Sequence, residues 1–268
     1  MIRVSAEIRF QQVSFLYEPQ RQIFSGLTLD LPAGITSLVG QNGVGKSTFL
    51  LLAGGVILPE SGSVFVRGHD TSALFDEEQR HLLVSFVPQN LEFETERPIG
   101  SLLDEVYASG CHRSRSGGFV SELIEVFELA SFLGRRTQEV SKGELQRTIL
   151  AFSLLYGSPV LLLDEPIFAL EDAQKERVMA YLCDYARRHG LCLLYSVHEL
   201  DLSQRFSDYL LLFPPGAHPR FGRTPEMFTR EKIEEAYQVP YVMLRRKEEI
   251  FRQRLIDADR AKRRDGSA

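Results

Sequence analysis

Long apolar runs are missing from this chain. No segment approaches the roughly 18–20 consecutive apolar residues that a membrane-crossing helix requires. The opening Met-Ile-Arg-Val-Ser-Ala-Glu also lacks the apolar run of a secretory signal, so work at a membrane is expected from the side, through a partner. Cysteine is scarce. Cys111, Cys183 and Cys192 are odd in number and far apart, which points to a reducing compartment and away from structural disulfides or a cysteine-held metal. A basic excess is lacking as well: with a net charge of −5 there is no electrostatic reason to expect nucleic acid as the main partner. What is present is core material. The 268 residues are 44% hydrophobic, enough for one large domain or a core with a subdomain.

The stretch that orders the rest is Leu38-Val39-Gly40-Gln41-Asn42-Gly43-Val44-Gly45-Lys46-Ser47-Thr48. It has the spacing of a phosphate-binding loop: a first Gly, four residues, then Gly-Lys-Ser. Ile35 to Val39 can enter it as a strand, and Phe49 to Ala53 can leave it as a helix. Gly40, Gly43 and Gly45 permit tight or positive-φ turns, so backbone N–H groups along the loop can converge on one anion. Lys46 supplies a charge for the β- and γ-phosphates, and the Ser47 hydroxyl can reach Mg²⁺. The following helix presents its N-terminal dipole to the same phosphates. Nucleotide binding follows.

Ahead of that loop, alternation over residues 2–10 suggests a half-buried strand, and Val13 to Tyr17 and Ile23 to Leu31 suggest further antiparallel strands. Tyr17 is either an exposed aromatic that stacks on adenine or a strand-end tyrosine on the core. Behind the loop, Val64 to Val66 is a short strand, Asp76 to His81 a short helix, and Leu82 to Val87 a strand that stops at Pro88-Gln89. Gln89 therefore stands at a strand terminus, where α/β proteins tend to place functional side chains. Composition then changes from Asn90 to about Leu155. A helix starts near Pro98, Cys111 to Gly118 is a polar basic loop, and Phe119 to Phe132 has helical spacing, together an inserted all-helical subdomain.

Ser141-Lys142-Gly143-Glu144-Leu145-Gln146-Arg147 has the capping-box spacing of a helix start, and by itself says no more than that. Val160 to Pro166 says more. Its apolar run suits the buried centre of a parallel sheet, and it ends in two carboxylates. There Asp164 can hold Mg²⁺, and Glu165 can orient or deprotonate a water. Leu191 to Val197 is a second core strand. It ends at His198, which can touch a γ-phosphate oxygen or cap the next helix. Leu210 to Phe213 reads as a last strand, Arg220 to Pro225 as a turn, and Glu226 to Val239 as largely helical. Residues 245–268 form a tail dense in both charge signs.

In order, these motifs resemble the ATP-binding subunit of ABC transporters, over nearly the whole chain to about Tyr241. The resemblance implies an α/β fold: a P-loop NTPase core with a mixed, largely parallel sheet, an N-terminal antiparallel β-subdomain and an inserted helical subdomain at approximately 90–155. Residues 1–244 would form a single ATPase domain, followed by the tail. Tyr17 takes the place of the adenine-stacking aromatic, and Gly40 to Thr48, with Gln41, Asn42 and Val44, that of the phosphate loop. Gln89 matches the glutamine that senses metal and permease, and Ser47, Gln89 and Asp164 would hold Mg²⁺. Ser141 to Arg147 matches the signature sequence. Glu165 matches the catalytic carboxylate and His198 the switch histidine, which act with Gln89 and Lys46 on ATP. Ser141, Lys142, Gly143 and Glu144 would serve a second subunit, in a head-to-tail pair that closes around two ATP molecules.

Transmembrane permease subunits, a second ATPase subunit and an extracytoplasmic solute-binding protein are the implied partners, with the chain peripheral on the cytoplasmic face. The end of the chain, Arg220 to Val239, looks like that of importers for iron chelates, haem, cobalamin or divalent metals. Three positions depart from the family pattern. Lys142 stands where glycine is usual, Phe168 where serine is usual and Glu171 where aspartate is usual. The changes at Lys142 and Glu171 keep open a catalytically weakened regulatory subunit. A soluble ATPase of a non-transport assembly is the other alternative, although no coiled-coil insert or duplicated core is visible.

Overall fold

Apolar alternation at the start of the chain shifts phase in the first strand, and the backbone absorbs the shift. In the computed structural model, which describes residues 6–18, 21–74, 76–90, 93–111 and 118–244, β1 (Ile8–Leu16) runs antiparallel to β2 (Gln22–Leu31). Ile8 and Phe10 face the core, and so do Val13 and Phe15. Gln12, at φ 50°, is the extra residue of a bulge that keeps both pairs inward, its N–H held by the Thr28 hydroxyl at 3.1 Å. The two strands expected over 2–10 and 13–17 are thus one bulged strand. Residues 1–5, the basic loop residues 112–117 and the tail 245–268 lie outside the described residues.

The elements continue as β3 (Gly34–Val39), α1 (Lys46–Ala53), β4 (Ser61–Val66), β5 (His69–Asp70), α2 (Glu77–Leu83) and β6 (Val84–Val87). Next come α3 (Ile99–Ser109), α4 (Gly118–Val126), α5 (Lys142–Tyr156), β7 (Val160–Asp164), α6 (Asp172–His189) and β8 (Cys192–Ser196). The last are α7 (Leu200–Phe206), β9 (Tyr209–Leu212), β10 (Arg220–Arg223), α8 (Thr224–Met227) and α9 (Arg230–Tyr237). One sheet is antiparallel, in the order β2-β1-β4-β5. The other, β10-β9-β3-β8-β7-β6, is parallel except for β10 at its edge.

The parallel strands are buried on both faces, which explains their unbroken apolar runs. Leu162 and Leu194 turn toward α1 and the antiparallel sheet, while Leu161, Leu163 and Leu193 turn toward α5 and α6. α1 is wedged between the two sheets. Phe49 is its central contact: it stacks on Phe10 at 4.4 Å and meets Phe24 and Phe213 edge-on at 6.3 and 5.7 Å. Because this ring joins both sheets to the helix behind the phosphate loop, Phe49→Ala should cost about 3–5 kcal/mol, read from the guanidinium unfolding midpoint. A third cluster joins Val39, Leu210 and Leu212 to Met227, Ile233 and Ala236, seating α8 and α9 against β3 and β9. Of the cysteines, Cys183 and Cys192 are buried, which pushes each thiol up to about 12, and Cys111 is exposed.

Several boundaries differ from the sequence expectation, each for a local reason. Asp76 caps α2 by accepting from Glu78 N at 3.0 Å, and the helix runs through Leu82 and Leu83, so the strand begins only at Val84. α4 stops at Val126 rather than Phe132, because Glu128 turns to φ 54° and a separate 3₁₀ turn covers Ala130–Phe132. Arg220–Arg223 is strand β10, not a turn. The helical region after it breaks at Phe228, and Thr229 then caps α9.

Candidate active site

Chemistry-bearing side chains collect at the carboxyl ends of four adjacent parallel strands: β3, β6, β7 and β8. That is where open α/β sheets bind ligands. The loop after β3 is tightly confined. A Cβ on Gly40 would lie 2.8 Å from the Phe213 carbonyl oxygen, and one on Gly45 (φ 103°) 2.8 Å from Ile23 Cγ2. Both positions therefore exclude any side chain. Lys46 opens α1 with its stem buried, and its ammonium donates to the carbonyls of Gly40 and Gln41 at 2.8 and 2.7 Å. Burial lowers its pKa, and the nearby Glu165 and Asp164 charges oppose that shift.

The carboxylates at the end of β7 are held by specific donors. Ser196, one strand over on β8, donates to Asp164 Oδ1 at 2.6 Å and accepts from the Glu165 N–H at 2.9 Å. Glu165 adopts φ 50°, a left-handed conformation unusual for a non-glycine residue and costly enough to need such support. Its carboxylate is gripped from both sides, by Gln89 Nε2 at 2.7 Å on Oε2 and by His198 Nε2 at 2.8 Å on Oε1. The His198 hydrogen bond is the main reason its pKa is lowered. Burial pulls the other way, and the charges of His198 and Lys46 and the Gln89 bond add to the lowering.

Tyr17 projects from the end of β1 with 53% exposure, edge-on to Phe15 at 5.0 Å, and its hydroxyl lies 3.2 Å from Thr48 Oγ1. It stands beside the phosphate loop with its ring open to solvent. Gln41 turns its side chain to α9, donating to the Tyr237 carbonyl at the end of that helix. Ser47, Asn42 and Gly43 are exposed along the loop.

Ser141 to Glu144 are organised differently. Ser141 Oγ accepts from Glu144 N at 3.3 Å while Glu144 Oε2 accepts from Ser141 N at 2.7 Å, which completes the capping box of α5. The bond from the Ser141 backbone N–H is the main reason the Glu144 carboxyl is held below its usual pKa. A Cβ on Gly143 would lie 2.9 Å from the Ala169 carbonyl oxygen, so the helix start packs directly on the loop after the acidic pair. Gln146 fastens that loop: its amide donates to the Glu165 carbonyl at 3.0 Å and accepts from Ala169 N at 2.8 Å. Sequence reasoning gave no role to Ser196 or Gln146. Their partners lie 32 and 19 residues away in the chain, and no local pattern announces them.

The family model described as ABC transporter matches residues 24–168. The chain belongs to the ABC transporter family. A nickel import ATP-binding protein of Rhodobacter capsulatus is 34% identical over 235 residues, covering 83% of this chain and 91% of the relative. A hemin import ATP-binding protein of Rhizobium meliloti is 31% identical over 229 residues, covering 81% and 86%. Among solved structures, an ATP-binding cassette captured as a dimer with ADP and phosphate superposes with a TM-score of 0.70 over 81% of this chain and 98% of its own. At 20% identity that likeness speaks to fold.

Against that family, the three departures have distinct surroundings. Lys142 is exposed in the first turn of α5. Phe168 is 66% exposed on the loop that Gln146 holds. Glu171 sits at the N-cap of α6 without a side-chain capping bond, a bond that aspartate's shorter side chain commonly makes. Among the described residues, no helix is long and apolar enough to cross a membrane.

Proposed function

We propose that this chain is the energy-coupling ATPase of a membrane importer, acting through residues 1–244 as one ATPase domain. The observation that carries the reading is the carboxylate of Glu165, held between Gln89 and His198 beside Lys46. Lys46 and the loop amides bind the phosphates of ATP, and the exposed ring of Tyr17 offers a stacking face for adenine. Glu165 orients a water toward the γ-phosphate. His198 fixes one carboxylate oxygen and Gln89 the other, leaving little rotational freedom.

Mg²⁺ fits the donor set. Ser47 offers a hydroxyl, Asp164 a carboxylate oxygen and Gln89 an amide oxygen, since its nitrogen already donates to Glu165; all are hard oxygen ligands of the kind Mg²⁺ takes. Bound there, the ion would neutralise phosphate charge. Ser141, Lys142, Gly143 and Glu144 act on the nucleotide of a second ATPase subunit, head to tail. Permease subunits and a solute-binding protein complete the system, with this chain on the cytoplasmic face. The relatives' cargoes, nickel and hemin, favour a metal ion or metal chelate.

The purified chain should release phosphate from ATP with Mg²⁺ and stop when the ion is removed by EDTA. ATP binding without any turnover would instead favour a regulatory subunit.

A further inference from the structure

We propose that Lys175 is a positioning residue for catalysis, anchoring Glu199 and so fixing the turn that presents His198 to Glu165. This rests on the reading of Glu165 and His198 above. Lys175 lies one turn into α6, the helix that follows the acidic loop, and only 7% of it is exposed. Its ammonium meets Glu199 Oε1 at 2.6 Å, with Asp172 Oδ1 further away at 3.7 Å. Glu199 is the N-cap of α7, yet its side chain makes no capping bond; it points to Lys175 instead.

The backbone of Glu199 is tied as well. Its carbonyl accepts from Ser203 N at 3.2 Å and Ser203 Oγ at 3.4 Å, and Ser203 Oγ in turn accepts from Ser37 Oγ at 2.8 Å, on the strand that leads into the phosphate loop. One peptide before this doubly held residue, His198 reaches Glu165 at 2.8 Å. The His198 side chain is 40% exposed, so part of its surface lacks packing against the protein. The restraint on its backbone is supplied by its neighbour. The Lys175–Glu199 pair thus joins the helix after the acidic loop to the residue that grips the catalytic carboxylate.

The test is ATP turnover by the purified full chain in four forms: wild type, Lys175→Met, His198→Ala and the double variant. Misplacement of a catalytic group by about 1 Å costs on the order of 10²-fold, so a partial loosening should lower kcat about tenfold while KM for ATP stays within about twofold. Lys175→Arg, which keeps the charge, should restore most of the loss. In the His198→Ala background, Lys175→Met should have no further effect, because its route of action is already gone. Unchanged kcat in Lys175→Met, or an equal fall in both backgrounds, overturns the proposal. If Lys175→Met does not fold, Glu199→Gln in the same two backgrounds gives the same readout. A Glu165→Gln control separates the two claims: if it turns over normally, the assignment of Glu165 falls and this inference with it. If that control is inactive while Lys175→Met is normal, only the inference falls.

Discussion

ATP turnover falls by about 10²–10⁴-fold when Glu165 is replaced by Gln, and ATP binding survives. Gln has the same shape, so it can fill the gap and keep the φ of 50°; its oxygen accepts from one of the two donors, Gln89 or His198, and its nitrogen cannot accept from the other. What it loses is the charge that orients a water. The carboxylate is held ionised chiefly by the His198 hydrogen bond, so its folded pKa lies below the ordinary value near about 4.3. The sign follows from that depression. The stabilisation from Glu165 is complete above its unfolded pKa and is lost only as pH falls through the lowered folded value. Phosphate release at saturating ATP, with calorimetric titration of ATP on the same preparations, separates lost chemistry from lost binding.

Replacing Lys46 by Met acts on the other half of the event. A hydrogen bond to a charged group contributes about 1.5–3 kcal/mol, so losing the ammonium should weaken ATP binding by about 10–100-fold. Stability should move differently. Burial lowers the Lys46 pKa, which means the folded state disfavours its charged form. The two carbonyl bonds lost with the ammonium work against any gain from removing a buried charge, so the substitution should shift Tm far less than it weakens ATP binding. Calorimetric titration of ATP and thermal unfolding of the nucleotide-free protein check the two halves. A large fall in Tm beside the weakened binding would mean that Lys46 holds the fold as well as the ligand.

Local chemistry made part of this molecule readable. Gly40 to Thr48 and Val160 to Pro166 each compress strand, turn and functional group into a few consecutive residues, and the parallel strands they belong to are plain apolar runs. Gln89 and His198 could be placed at strand ends because Pro88 and the close of the Leu191–Val197 run mark those ends. The bulge at Gln12 was not readable, because a one-residue phase shift looks like the gap between two strands. Nor was β10, since Arg220-Phe221-Gly222-Arg223 carries the polar composition of an edge strand and of a turn alike. Ser196, Gln146 and Lys175 act on partners far along the chain. Their contribution exists only once β7 lies beside β8 and α5 and α6 lie over the acidic loop.

Transport itself is the most direct measurement. The chain, reconstituted with its permease in vesicles and given Mg²⁺ and ATP on its own side, should drive uptake of a metal ion or chelate by the wild-type protein. Glu165→Gln should reduce that uptake to the level seen without ATP. Equal uptake by wild type and Glu165→Gln would contradict the claim that hydrolysis at this carboxylate powers import.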